Sequence, residues 1–191
     1  MFHLFPAGKK KSNQTVYVAS GQVVCGQKGE TLVSTPLGSC IALMAYDPYR
    51  QVGGMAHIML PGQPPPKEQS GKNKYARQAI ESLLSKIYTL GATENQTAIC
   101  VVGGANVLRK PNDIIAIPLI LNVLEIIKQR RLSLVAASLG GYERRTAGLQ
   151  LSTGNVWYTV GESGMKTLWQ FTLTSKEKHS TVNQPVKNII Y

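Results

Sequence analysis

STPLGSCIALMAYDPYRQVGGMAHIMLP, running from Ser34 to Pro61, is the stretch whose reading decides the fold. It places Cys40 directly after Gly38-Ser39 and it contains His57, whereas His3 and His179 lie near the chain ends. Apolar runs cover Ile41 to Tyr46 and Met55 to Leu60. Between them, Asp47-Pro48-Tyr49-Arg50 is a turn signal, with proline where its fixed φ suits position i+1. Two such runs predict an antiparallel hairpin. Closing it on Asp47 and Arg50 sets Cys40 directly opposite His57, with side chains on one face and Cβ atoms about 4.5–5.5 Å apart. Symmetric widening of the loop preserves that pairing, and a one-residue slip destroys it.

A thiol beside an imidazole has a chemical use. Free cysteine is mostly protonated at neutral pH, and a neighbouring histidine can take the proton and leave a thiolate nucleophile. Gly38 and Ser39, just before the thiol, let backbone N–H groups approach an acyl oxygen as an oxyanion hole. No acidic residue lies between Glu30 and Asp47, so the hydroxyls of Ser34 and Thr35 are the candidates to hold the imidazole. The competing reading is a buried structural cysteine and a core histidine satisfied by hydrogen bonds.

Outward from this hairpin, Val16 to Ala19 and Gln22 to Val24 read as short strands, with a turn at 26–30. After the histidine run comes a Pro/Gly-rich polar loop over 61–73, which either gates substrate or simply connects. Lys74 to Leu90 is the clearest helix. Apolar residues at 76, 79, 80, 83, 84 and 87 form one stripe, Gly91 supplies the stop, and Arg77 and Glu81 are spaced for an i,i+4 pair. Thr97 to Val102 reads as a buried strand ending in Gly103-Gly104, a pair that permits a close approach but also marks an ordinary turn. A second helix is expected from about Pro118 to Arg131, then a strand over Leu132 to Ala137, a closing hairpin over Leu149 to Val160, and a further strand over Leu168 to Leu173. This order predicts a single-domain α/β fold, with a mostly antiparallel sheet and two main helices on one face.

Composition sets the remaining bounds. The 191 residues suffice for one buried domain, and no apolar run approaches the roughly 18 residues of a transmembrane helix. The N-terminus has its lysines after a short apolar patch, the reverse of a secretory signal, which points to the cytoplasm. Three widely spaced cysteines suggest neither a disulfide framework nor a zinc site; Cys100 reads as a buried small hydrophobe, and Cys25 as packing or a second thiol. The net charge of +11 suits an acidic partner, but the chain carries no nucleic-acid recognition motif, so an acidic protein surface is preferred over nucleic acid.

LGSC at 37–40, GGMAHIMLP at 53–61, KYA at 74–76, GGAN at 103–106 and the Gly140, Gly141, Arg145 set together resemble the CheD family of bacterial chemoreceptor glutamine deamidases. The resemblance runs over roughly 15–160, leaving 1–14 as a basic leader and 161–191 as an extension of unassigned role. It implies a three-layer α/β/β sandwich, with Cys40 as nucleophile and His57 as its base. The family's catalytic threonine falls on Ser34 or Thr35. The substrates implied are glutamines of methyl-accepting chemoreceptors, deamidated without cofactor or metal, and a CheC-type phosphatase is the implied binding partner. Two departures stand out. Ala116, Pro118 and Leu119 replace an expected Gly-x-Arg-Asn-like helix entry, and Ser138 stands where an acidic residue is common. Arg145 binds substrate or pairs structurally, the latter preferred. Two rivals to the deamidase reading are an interaction protein that binds CheC without catalysis and a cysteine amidase acting on another protein.

Overall fold

In a computed structural model the described residues are 14–68 and 70–173. The expectations for the leader at 1–13 and for the end of the extension at 174–191 lie outside them. Ten strands and two α-helices form an α/β fold: β1 (Gln14–Val18), β2 (Val23–Gln27), β3 (Glu30–Ser34), β4 (Ile41–Asp47), β5 (Val52–Ile58), α1 (Ala76–Thr89), β6 (Ala98–Gly103), α2 (Ala116–Gln129), β7 (Ser133–Leu139), β8 (Arg145–Gln150), β9 (Asn155–Val160) and β10 (Lys166–Gln170). They make two five-stranded sheets, ordered β1-β3-β8-β9-β10 and β2-β5-β4-β6-β7. Within these, β1 pairs with β3 and β6 with β7 in parallel; the other pairings are antiparallel.

Alternation along the strands feeds two cores. Ile41, Leu43 and Ala45 of β4 join Ile99 and Val101 of β6 in packing against α1 and α2. Ala42, Met44 and Tyr46 point the other way, toward Leu32, Ala147, Leu149 and Val156 of the first sheet. All seven residues of β4 and all seven of β5 are buried, as strands covered on both faces must be. The stripe predicted for α1 is the one that is buried: Ala76, Ala79, Ile80, Leu83, Leu84 and Ile87. Each of its larger side chains contributes about 1.5–3 kcal/mol on leaving water.

The β4–β5 hairpin forms, but with a different register from the one predicted. Asp47 pairs with Val52 and Ala42 with His57, so the loop holds four residues rather than two. The reason is local. Proline at i+1 favours type I or II turns, which splay two-residue hairpins. The chain closes instead through Gln51, which takes a left-handed φ of 52°, and through Asp47 Oδ1, which accepts from the N–H groups of Tyr49 (3.0 Å) and Arg50 (3.2 Å). The shift is two residues, not one, so Cys40 and His57 keep a common face.

Three other expectations are adjusted. Helix α1 begins at Ala76 after a short 3₁₀ turn over Lys72–Lys74. Helix α2 begins two residues before Pro118, where Asp113 Oδ1 accepts from the N–H groups of Ile115 (2.9 Å) and Ala116 (2.8 Å) in an Asx turn that leads into it. Glu81 pairs with Arg130 of α2 rather than with Arg77. No helix among the described residues is long and apolar enough to cross a membrane.

Asp47 carries more of the fold than its place in a turn suggests. Fully buried, its Oδ2 accepts from Arg50 Nη1 (3.3 Å) and Thr93 N–H (3.0 Å), tying the hairpin to the segment that leads into β6. Asp47→Ala strands these donors together, with an expected loss of about 3 kcal/mol. Asp47→Asn keeps one acceptor and loses less. A urea melt checks both, with the midpoint falling and the slope unchanged.

Candidate active site

Cys40 lies one residue before β4, half-buried, at the rim of the layer between the two sheets. Extending the hairpin register sets it opposite Met59, hence diagonal to His57 on the same face, where Cβ atoms are about 7–8 Å apart or somewhat less. The direct opposition predicted above is replaced by this diagonal one.

The sequence motifs meet around the main chain of the segment that carries Cys40. Gly104 N–H donates to the Cys40 carbonyl (2.8 Å), Ala105 N–H to the Gly38 carbonyl (2.9 Å), and Asn106 N–H to the Gly141 carbonyl (2.9 Å). Leu37 and Arg145 exchange both backbone bonds, at 2.7 and 3.0 Å. Gly103 is more than a turn residue: its φ is +126°, and a Cβ there would sit 2.3 Å from the Cys40 carbonyl oxygen. The glycine pair lets the strand exit pass directly under the thiol-bearing residue. Arg145 is buried, with Nη1 donating to the Gly140 carbonyl (2.6 Å), and so braces the same junction. Its Nε and the Ser138 hydroxyl are buried with no hydrogen-bond partner among the described residues.

His57 is fully buried. Its Nδ1 faces the Val18 carbonyl at 3.1 Å and Thr35 Oγ1 at 3.3 Å. A carbonyl can only accept, so this network assigns the proton to Nδ1 and leaves the lone pair on Nε2. That tautomer anchors one ring nitrogen and leaves the other as a hydrogen-bond acceptor. Nε2 has Ser20 Oγ at 3.4 Å. Of the two hydroxyls left open by the sequence, Thr35 is therefore the one that reaches the imidazole. Ser34 is engaged elsewhere, its buried Oγ accepting from Ala147 N–H (3.0 Å) to join β3 to β8.

Two partners of His57 carried no usable sequence signal. The Val18 carbonyl is main chain, and Ser20 lies far upstream in a turn of common composition. The β1–β3 pairing places Val18 beside the histidine, and the backbone bonds of Gly21 and Gln22 to His57 place Ser20 there.

Burial sets the protonation of the pair. It pushes the Cys40 thiol above its ordinary value of 9.0, with the residue's own N–H pulling weakly the other way. It pulls His57 below 6.5, partly offset by the bond to Val18. At neutral pH the resting pair is thus thiol and neutral imidazole. If the pair is catalytic, kcat/KM has its acid limb below pH 6.5, because protonating Nε2 removes the base, and its basic limb above pH 9. A pH–rate profile checks this. The other thiols are poorer nucleophiles: burial raises Cys25 to about 11, and Cys100 is wholly enclosed.

Comparison with known proteins places this arrangement. A family profile described as CheD chemotactic sensory transduction matches residues 59–160, which takes in GGAN and the Gly140-Gly141…Arg145 set and begins two residues after His57. A probable chemoreceptor glutamine deamidase CheD of Chlorobium luteolum is 39% identical over 164 residues, covering 86% of this chain and 82% of its own. Proteins of the same description from Methanococcus maripaludis (strain C5) and Vibrio vulnificus (strain YJ016) are each 34% identical, over 79% and 72% of this chain. With this identity sustained across most of its length, the chain belongs to the CheD family.

Proposed function

We propose that this protein is a protein-glutamine deamidase that converts glutamine side chains of methyl-accepting chemoreceptors to glutamate. The observation that carries the reading is the packing of the Gly103-Gly104 loop on the Gly38–Cys40 segment, braced in turn by the Gly140-Gly141 loop, with His57 diagonal to Cys40 on the same face of the hairpin. The description shared by its relatives supports the substrate.

The reaction proceeds in two halves. The Cys40 proton passes to His57 Nε2 as sulfur attacks the carboxamide carbon, and N–H groups of the Gly38-Ser39-Cys40 segment receive the developing oxyanion. Collapse breaks the C–N bond, and the imidazolium proton leaves with ammonia. Water then gives a proton to Nε2 and its oxygen to the thioester carbon; the C–S bond breaks and the thiolate recovers the proton. Thr35 Oγ1 and the Val18 carbonyl hold the ring throughout, and no step calls for a cofactor or metal. The deamidase unit corresponds to residues 15–160 and to a three-layer α/β/β sandwich, with 161–191 as an extension. We place its work in the cytoplasm, with a CheC-type phosphatase as a further partner. The exposed apolar residues Leu108, Ile114, Ile117 and Leu121, on α2 and the loop before it, favour a protein substrate over free glutamine.

Intact-mass and peptide analysis of a chemoreceptor cytoplasmic fragment tests this. A gain of about one mass unit per modified glutamine is expected with the wild type and none with Cys40→Ala. No gain from folded wild type on several receptors would overturn the deamidase reading in favour of a binding role toward CheC.

A further inference from the structure

His57 Nε2 has one described hydrogen-bond partner, Ser20 Oγ at 3.4 Å, and Ser20 belongs to none of the motifs that mark the family resemblance. Ser20 is held there by a collar of backbone bonds. Gly21 N–H donates to the His57 carbonyl (2.9 Å), His57 N–H to the Gln22 carbonyl (2.9 Å), and Gln22 N–H to the Ala19 carbonyl (3.0 Å). Gln22 Oε1 accepts from Ala19 N–H (3.0 Å) and closes the turn with its side chain. The residue between these anchors is exposed, whereas the imidazole beneath is fully buried. Ser20 thus stands between the base nitrogen and solvent.

We infer that Ser20 is a positioning residue for His57, bonded to Nε2 in both of its protonation states. This rests on the deamidase reading for its effect on turnover, though not for the contact itself. A hydroxyl is both donor and acceptor. Toward neutral imidazole, Ser20 donates to the Nε2 lone pair. Rotation about Cβ–Oγ first withdraws the Ser20 proton and frees that single lone pair for the Cys40 proton; Ser20 then accepts from the new N–H with no movement of heavy atoms. Hydrogen bonds to charged groups are roughly twice as strong as neutral ones. The net effect favours the imidazolium, and therefore the thiolate formed with it, at a site where burial disfavours both charges. Thr35 and the Val18 carbonyl cannot serve this role, because both address Nδ1. A hydroxyl at position 20 consequently suits a resting neutral pair that must ionise transiently.

Three measurements on the full chain with Ser20→Ala and Ser20→Thr test the inference. Cys40 alkylation by iodoacetamide near neutral pH, followed by peptide mass mapping, should slow about three- to tenfold in Ser20→Ala and be largely restored in Ser20→Thr. Cys25 in the same digest reports any general change in accessibility and should not move. The ¹⁵N resonance of His57 Nε2 should shift in Ser20→Ala and return in Ser20→Thr, while that of Nδ1 stays in place. With receptor fragment, kcat should fall by the same factor and KM should not change. An unchanged Nε2 resonance together with unchanged alkylation in Ser20→Ala overturns the inference, as does failure of threonine to restore either. The first two arms need no turnover, so deamidation persisting in Cys40→Ala would sink the proposed mechanism and leave the Ser20 contact standing.

Discussion

His57→Gln is expected to lower kcat by about 10²–10⁴-fold, the range that a positioned general base supplies. Glutamine roughly matches the size of the ring and can keep a donor toward the Val18 carbonyl, so the fold should persist, but it offers no lone pair that can take a proton at neutral pH. Both halves of the proposed reaction use Nε2, once to receive the thiol proton and once to receive a proton from water. Acylation and hydrolysis should therefore fail together, and no thioester should accumulate. Rapid-quench mass analysis distinguishes this from loss of one step, which would leave an acylated Cys40. Iodoacetamide modification of Cys40 should slow in parallel, because burial leaves the thiol with little thiolate of its own. A His57→Gln protein that turns over at the wild-type rate would remove the imidazole from the mechanism.

Gly103→Ala is the second large effect, and it is steric. The added methyl would sit 2.3 Å from the Cys40 carbonyl oxygen and 3.1 Å from Ile41 Cα, both main-chain atoms, on a residue whose φ of +126° already excludes most side chains. Either β6 or the start of β4 must move. The expected cost is about 2–4 kcal/mol in a urea melt, with deamidation lost beyond what unfolding explains, because the displaced residue carries the thiol. Gly38→Ala is the matched control: its nearest contact would be Val107 Cγ2 at 3.6 Å, ordinary packing distance. That variant should keep the wild-type urea midpoint, which isolates the steric cost at Gly103. Gly38 thus contributes to the site through its backbone path rather than through a missing side chain.

These two glycines show where sequence reading succeeds and where it stops. Periodicity marked the buried stripe of α1 residue by residue, since a helix facing one sheet has one way to bury it. Closing the hairpin on its turn put Cys40 and His57 on one face, and a shift of two residues keeps them there. The register needed the loop, and a proline turn does not specify loop length; Gln51 adopting a left-handed conformation settled it. Ser34 and Thr35 were indistinguishable by type. Neighbours in a strand point to opposite sides, and only the neighbouring strands decide that one meets β8 while the other meets the imidazole. The Gly103-Gly104 pair looked like a turn because the main chain it makes room for lies 63 residues upstream at Cys40. The Val18 carbonyl has no side-chain signature at all.

His57 belongs to one sheet, while the carbonyl that fixes its proton belongs to β1 of the other. Leu37 and Arg145 clasp the first sheet to the segment leading to Cys40, and Gly104 clasps that segment to the second. The competent tautomer is therefore not a property of a loop but of the alignment between two stacked sheets. Sliding one over the other by a single residue, about 3.3 Å, would carry the Val18 oxygen out of reach of Nδ1 while leaving every strand intact. The imidazole would then be free to flip or change tautomer.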